Sequence, residues 1–249
     1  MPSLGLACTI RLLNDTSSSA DHRVSPLQLA LGGLSVAVWP VMMLVLAGDG
    51  HWLEGWLFAA WFLGLSATVI GWLYRKDPAL LAERYRRPGS GGQSGQDRAI
   101  VIALGLGFAA WIFLMPLDAR RLRWSPALPE SAKACGGALL MASAFLLFRA
   151  FHDNTFLSPL VRIQAERKQH VVSTGVYRLV RHPMYLGAIL MFAGAPLLLG
   201  SAIGLGVGAA MTLLLALRIV GEERVLANEL KGYADYQQKV RFRLFPLVW

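Results

Sequence analysis

Cysteine is nearly missing from this chain of 249 residues, which has only Cys8 and Cys135. The two lie far apart without metal-ligand spacing, so we expect neither a disulfide nor a metal site. Acidic residues are also few, because 15 Asp and Glu stand against 24 Lys and Arg. Charged residues make up 16% of the chain and hydrophobic residues 55%. This composition is typical of a membrane protein.

The chain also lacks loops long enough for a separate soluble domain. Its apolar residues fall in six blocks, most of which approach the roughly 20 residues that cross the hydrocarbon core of a bilayer. The blocks cover residues 27–47, 52–74, 99–117, 134–151, 184–199 and 202–220. The last two meet at Gly200-Ser201, which predicts a tight helical hairpin. We therefore predict an all-α, polytopic transmembrane bundle of about six spans, with any active site built from helix ends and connectors.

The segments outside these blocks carry fewer signals. The N-terminal tail, residues 1–26, is interrupted by Arg11 and has no small-residue cleavage site, so we expect no cleaved signal peptide. Residues 27–151 hold the first four spans. The stretch 88–95 is rich in glycine and serine and predicts a flexible linker.

A net charge of +9 is compatible with nucleic-acid binding, but the distribution of basic residues favours another interpretation. The loop 48–51 has no Lys or Arg, whereas the connector 75–98 is rich in them. The positive-inside rule places that connector in the cytoplasm, and alternation adds both termini and the connector 152–183. One loop dissents, because Arg120, Arg121 and Arg123 would then lie outside. We interpret the excess as an orientation signal and a contact with anionic lipids, and we expect no nucleic-acid partner.

A polar connector from His152 to Arg181 is longer than a simple link requires. His182 follows it and precedes Pro183, and a residue before proline avoids helical dihedrals, so we expect a helix to begin at Pro183. The positive end of that helix would bind an anionic group. The alternative is that Arg181 and His182 only anchor a span at the headgroups.

A second ionisable cluster, Arg218, Glu222 and Glu223, lies where the sixth apolar block meets water. Arg218 and Glu222 are one helical turn apart and can pair, while Glu223 points about 100° away. One carboxylate would then face the bundle and the other water. The alternative is an ion pair that only marks the membrane boundary. The tail 222–239 predicts an amphipathic helix that lies on the membrane or covers the connector.

Four motifs in residues 150–249 resemble the isoprenylcysteine carboxyl methyltransferase family and its phospholipid N-methyltransferase relatives. They are Val161-Arg-Ile-Gln164, the run from His170 to Gly187, Arg218-x-x-x-Glu222-Glu223, and Gly232-Tyr-x-x-Tyr236. The resemblance implies a polytopic methyltransferase that uses S-adenosylmethionine without a Rossmann domain. It makes 152–249 the catalytic region, with a cytoplasmic pocket between the connector, the last two spans and the C-terminal segment.

Carried over residue by residue, the resemblance assigns roles to positions in this region. The implied cofactor contacts are Gln164, Gln169, His170, Val171, Val172, Tyr177, His182, Pro183, Met184, Tyr185 and Glu222. The implied catalytic residues are Arg218, Glu222 and Glu223, with Arg218 on the acceptor side. The chemistry of the cofactor agrees, because a helix start suits its carboxylate, a glutamate its ammonium or ribose, and a tyrosine ring its adenine or sulfonium. The reaction requires no metal.

The acceptor stays open between two kinds of nucleophile. A prenylcysteine-type carboxylate is ionised near neutral pH and would need only Arg218 to orient it. An amine, such as a phosphatidylethanolamine headgroup, is protonated and would need Glu222 or Glu223 as a base. We expect methyl transfer to an amphiphilic acceptor among the membrane lipids, most like isoprenylcysteine carboxyl O-methylation, with phospholipid N-methylation as the alternative.

Two further interpretations belong to other classes. Sterol reductases carry a similar Arg-His-Pro-x-Tyr-like turn and use NADPH, but the spacing of Arg218, Glu222 and Glu223 favours methyl transfer. A non-enzymatic membrane protein would leave the polar connector unexplained.

Overall fold

The computed structural model describes residues 24–85, 93–246 and 248–249, and these ranges are built from helices and their connections. The α-helices in chain order are α1 (Pro26–Ala47), α2 (Leu53–Lys76), α3 (Pro78–Arg84), α4 (Gly95–Pro116), α5 (Glu130–Asp153), α6 (Pro183–Leu199), α7 (Ala202–Glu229) and α8 (Tyr233–Lys239). Most of the N-terminal tail, including Cys8 and Arg11, lies outside the described residues. So do residues 86–92, which contain most of the predicted linker.

Five of the described helices, α1, α2, α4, α5 and α7, are long and apolar enough to cross a membrane. Helix α6 is also apolar but shorter. The predicted all-α polytopic bundle is thus confirmed, and the fifth predicted block forms the short helix α6.

Local sequence explains where the helices begin and end. Ser25 and Gln28 form a reciprocal capping box at the start of α1, and Pro26 occupies its first turn. His182 is the N-cap of α6 and Pro183 its first residue, as predicted. Gly200 ends α6 with φ at 84°, a conformation that favours glycine. The chain therefore turns within two residues into α7, which confirms the predicted hairpin.

Close backbone contacts hold α6 against α5. A Cβ atom on Gly136 would lie 2.6 Å from the carbonyl oxygen of Gly194, and one on Gly194 would lie 2.9 Å from that of Gly136. Larger side chains would force the two helices apart. This packing aligns the C-terminal end of α5 with the N-terminal end of α6, where the polar connector joins them.

The bundle has two ends of different character. One end gathers the C-termini of α2, α5 and α7 with α3 and the N-termini of α4 and α6. At the other end, the Arg120 guanidinium contacts Asp49, and the Lys133 ammonium lies 2.8 Å from Glu54. Arg120 belongs to the loop that breaks the positive-inside rule. Asp49 pairs with Arg120 and offsets its positive charge. The positive-inside rule counts basic residues alone and does not include such pairing.

Sidedness is the first testable prediction. We expect a cysteine at exposed Gln96 to react with an impermeant maleimide only from the cytoplasm, because it lies at the basic end. A cysteine at exposed Ala202, in the opposite hairpin, should react only from outside. Ala202 is the better hairpin probe because neighbouring Ser201 is buried. The measurement uses intact and opened cells with both native cysteines replaced. Labelling of both positions from one side would contradict the topology.

Candidate active site

The polar connector is folded by its own glutamines. Gln164 is fully buried, and its side-chain Nε2 donates to the carbonyl oxygen of Phe156 at 2.7 Å. Its Oε1 accepts from Arg167 at 2.8 Å. The Gln169 side chain accepts from the Gln164 backbone N–H at 2.7 Å. These contacts fix the path of the connector over the helix ends.

Arg162 ties the connector to α3. Its guanidinium forms a two-pronged contact with Glu83, with Nη2 2.9 Å from Oε2 and Nε 3.2 Å from Oε1. Glu166 adds a hydrogen bond of 2.6 Å. The Glu166 and Glu83 carboxylates raise the pKa of Arg162 despite its partial burial. The connector is therefore anchored by charge as well as by its backbone.

A buried ionic cluster joins the connector to α7 and the C-terminal segment. Glu223 is 4% exposed and accepts from Arg181 Nε at 2.6 Å and from Arg243 Nε at 2.8 Å. His182 Nε2 lies 3.1 Å from the same carboxylate. Glu223 is therefore the carboxylate that faces the bundle, whereas Glu222 is partly exposed and lines a cavity with an open mouth.

The C-terminal segment lies along residues 181–182. The backbone N–H of Arg181 donates to the carbonyl of Phe242 at 3.0 Å, and that of His182 donates to Arg243 at 2.9 Å. Arg181 Nη1 also donates to the carbonyl of Val240 at 2.6 Å. The chain after α8 therefore forms a strap, residues 240–243, across the entry to α6.

The predicted single helix over 222–239 is wrong. Helix α7 ends at Glu229, and Gly232, with φ at 84°, separates it from α8. The break turns α8 back, so that Tyr233 and Tyr236 become buried. The Tyr236 hydroxyl donates to the carbonyl of Tyr177 at 2.6 Å. Burial raises the pKa of all three tyrosines, which keeps them protonated as donors.

A cavity of about 810 Å³, including its open mouth, lies between the connector, the start of α6, the end of α7 and α8. The structure brings together every predicted cofactor contact except Gln164 in its lining: Gln169, His170, Val171, Val172, Tyr177, His182, Pro183, Met184, Tyr185 and Glu222. Gln164 lies under the connector instead.

The sequence analysis did not assign several other residues of this lining to the cofactor site. Tyr233 and Tyr236 belong to the Gly232-Tyr-x-x-Tyr236 motif, and the motif was the signal that could have placed them here. The start of the connector, with Asn154 and the stretch 156–162, also lines the cavity. The motif Val161-Arg-Ile-Gln164 marks the end of that stretch, but no motif marks residues 154–160.

The polar groups of the cavity lie in two places. At the start of α6, the N–H groups of Met184 and Tyr185 have no acceptor within the helix, as in the first turn of any helix. Facing them, Glu222 Oε2 accepts from the Tyr185 hydroxyl at 2.6 Å. Within the described part of the chain, its Oε1 has no hydrogen-bond partner. The His182 ring stacks on Tyr185 with centroids 5.5 Å apart. An anion-binding corner, a carboxylate and aromatic rings are therefore present together.

Arg218 lies outside this lining. Its Nε donates to Asp97 of α4 at 3.0 Å, and its Nη2 donates to the carbonyl of Pro159 at 2.5 Å. The predicted pair between Arg218 and Glu222 is therefore replaced by an ion pair between α7 and α4. Arg218 and Glu222 do share the lining of an adjoining cavity of about 580 Å³ beside Asp97.

Comparison with known families decides the class of this protein. The sequence model of the phospholipid methyltransferase family matches residues 132–231. This part of the chain, 100 of its 249 residues, is similar to that family. The match confirms the predicted relationship and contains the connector, α6 and the Arg218-x-x-x-Glu222-Glu223 motif, but it leaves out α1 to α4 and α8. No curated protein matches the chain in sequence. The protein is thus a membrane protein with the core of a methyltransferase.

No metal centre accompanies this core where the structure can be described. Among those residues, no group of three or more His, Cys, Asp or Glu side chains is placed to hold an ion.

Proposed function

We propose that the protein transfers a methyl group from S-adenosylmethionine to an amphiphilic acceptor at the cytoplasmic surface of the membrane. One observation carries the proposal. Residues from the connector, α6 and α7 that the family resemblance assigns to the cofactor converge on one cavity, although they are up to about 50 positions apart in the sequence.

The cavity offers a partner for each end of the cofactor. S-adenosylmethionine supplies an electrophilic methyl group on its sulfonium. The free N–H groups of Met184 and Tyr185 suit its carboxylate, together with the positive dipole of α6. Glu222 suits its ammonium or its ribose hydroxyls. The rings of Tyr177 and Tyr185 suit its adenine or its cationic sulfur.

The protein's own contribution is to position the reactants and exclude water. Helix α8 covers the cavity on one side, and the connector covers it on another. Glu223 has cations on both carboxylate oxygens, so it supports the strap rather than accepting a proton. Glu222 keeps one oxygen available and is the candidate base.

This assignment of the base favours an amine as the methylated group. A protonated amine would be attracted to Glu222 and lose its proton there, whereas a carboxylate would be repelled by it. The carboxylate acceptor, as in isoprenylcysteine O-methylation, stays the second candidate because Arg218 lies one turn from Glu222 on α7.

A labelled methyl group tests this proposal. The purified protein should transfer it from S-adenosylmethionine to phosphatidylethanolamine vesicles, and the product should survive alkali. Transfer to S-farnesyl-N-acetylcysteine would instead give a methyl ester that alkali cleaves. A cofactor at 100 times its Kd should also add about 2.7 kcal/mol of stability. Stabilisation by NADPH but not by S-adenosylmethionine would contradict methyl transfer and support a reductase.

A further inference from the structure

A second large cavity lies among the helices, on the membrane side of α3. Its volume is about 1030 Å³ including its open mouth, and residues of α1, α2, α5 and α6 form its walls. These walls are mostly apolar, with Trp61, Leu65 and Leu147 as examples. Arg84, at the end of α3, is the one charged residue in the described lining. The cavity therefore has an apolar body and a cationic end.

Arg84 forms no salt bridge within the described part of the chain. Its guanidinium lies 5.2 Å from the ring of Phe151 and forms no hydrogen bond there. The adjacent acid, Glu83, is bound to Arg162 and accepts from Ser158. The Arg84 side chain is partly exposed and forms no salt bridge there, so its guanidinium is available to an anionic ligand.

Arg84 also lies beside the proposed active site. Desolvation and the positive charge of Arg218 together lower its pKa to about 10, while the Glu83 carboxylate opposes this shift. Arg84 also interacts electrostatically with Tyr185. The Tyr185 hydroxyl donates to Glu222 in the cofactor cavity. Arg218 is paired with Asp97, whereas Arg84 forms no salt bridge with a described residue and can supply a positive charge at this junction.

We propose that Arg84 binds the anionic group of the methyl acceptor, a phosphate or a carboxylate, and that the α1–α2–α5–α6 cavity holds the acceptor's apolar chain. The occupant is an anionic amphiphile with a long hydrocarbon chain. Charge complementarity selects it, because a neutral lipid would leave Arg84 unpaired. The inference rests on the proposed function for the role of this amphiphile as acceptor, and it adds a residue outside the family match.

Direct binding tests the role of Arg84. Titrations in a neutral maltoside detergent would use tetradecyl phosphate, tetradecanoate and tetradecan-1-ol. Arg84→Gln should weaken binding of an anionic probe by roughly 10- to 100-fold and leave the alcohol unchanged. Arg84→Lys should keep part of the affinity, and it serves if the glutamine variant is unstable. Arg75→Gln, an exposed match at the same end, should change nothing.

The two anions separate the possible sources. Tighter binding of the phosphate supports a phospholipid-like acceptor, and tighter binding of the carboxylate supports a lipid acid. Equal losses in Arg84→Gln and Arg75→Gln would overturn the proposal, because general surface charge would then explain the binding. An equal loss for tetradecan-1-ol would overturn it as well.

A neighbouring pair on α2 tests the chain site. Ser66 lines the cavity, whereas Ala67 points outward. In the wild type and in Ala67→Phe, each methylene added between octyl and tetradecyl phosphate should tighten binding about fourfold. Ser66→Phe fills the cavity and should flatten this dependence. An unchanged dependence in Ser66→Phe would overturn the chain site.

These readouts do not need the cofactor, so two failures can be told apart. If Arg84-dependent binding of the anions is found without any binding of S-adenosylmethionine, the proposed function fails and the amphiphile site stands. If S-adenosylmethionine binds but the anions are indifferent to Arg84, the proposed function stands and this inference is overturned.

Discussion

Glu222→Gln is expected to weaken S-adenosylmethionine binding by roughly 10- to 100-fold while the protein stays folded. The reason is that Glu222 supplies the carboxylate of the cavity, and a charge-assisted hydrogen bond contributes about 1.5–3 kcal/mol. The substitution keeps the size of the side chain and its contact with the Tyr185 hydroxyl. Calorimetric titration in detergent measures the affinity.

Glu229→Gln is the matched control for this result, because Glu229 lies at the exposed end of the same helix. It should leave cofactor affinity unchanged. His182→Ala should also weaken binding, but His182 contacts Glu223, so its loss disturbs the ionic cluster as well. Unchanged affinity in Glu222→Gln would remove this residue from the cofactor site and make the cavity a site for another ligand.

Local signals predicted much of the architecture. Apolar length located the helices, since a span must cover the hydrocarbon core. The order His182-Pro183 located the start of α6, because proline restricts the residue before it and fits the first turn. Gly200 located the hairpin. Each of these signals acts within a few residues, which is why the sequence alone could carry it.

The partners of the charged residues could not be predicted in this way. Arg218 selects Asp97, which is 121 positions away, over Glu222 on its own helix. Helical spacing predicts that Glu222 and Glu223 point about 100° apart. It does not predict which of them contacts Arg181 and Arg243. That choice depends on how α7 is rotated against α4 and α6. Tertiary packing sets this rotation, and no local pattern records it.

The family motif at Gln164 illustrates a different limit. A motif match assigns a position to a site but does not say whether its side chain faces the ligand or supports the wall. Here the side chain is buried and organises the connector. Its role as a cofactor contact stays a prediction, whereas Gln169, five positions later, lines the cavity.

Glu223→Gln should cause the largest loss of stability at this end of the bundle, about 3–5 kcal/mol in the free energy of unfolding. The substitution leaves Arg181 buried without its counter-ion, and breaking one partner of a buried ion pair has a cost of that order. Arg181 also holds the strap through the carbonyl of Val240. We therefore expect a protease to cut the C-terminal segment faster in the variant. Denaturant unfolding and timed proteolysis measure the two effects.

Arg243→Gln gives the matched comparison, because the Arg243 side chain is 32% exposed and its pair with Glu223 should contribute less than about 1 kcal/mol. The double variant should lose less than the sum of the single losses, since its unpaired positive charge is reduced. If Glu223→Gln instead keeps its stability and its protease resistance but loses methyl transfer, Glu223 is catalytic, as the family resemblance implies. In that case the strap would be held by its backbone hydrogen bonds to Arg181 and His182 without the help of the cluster.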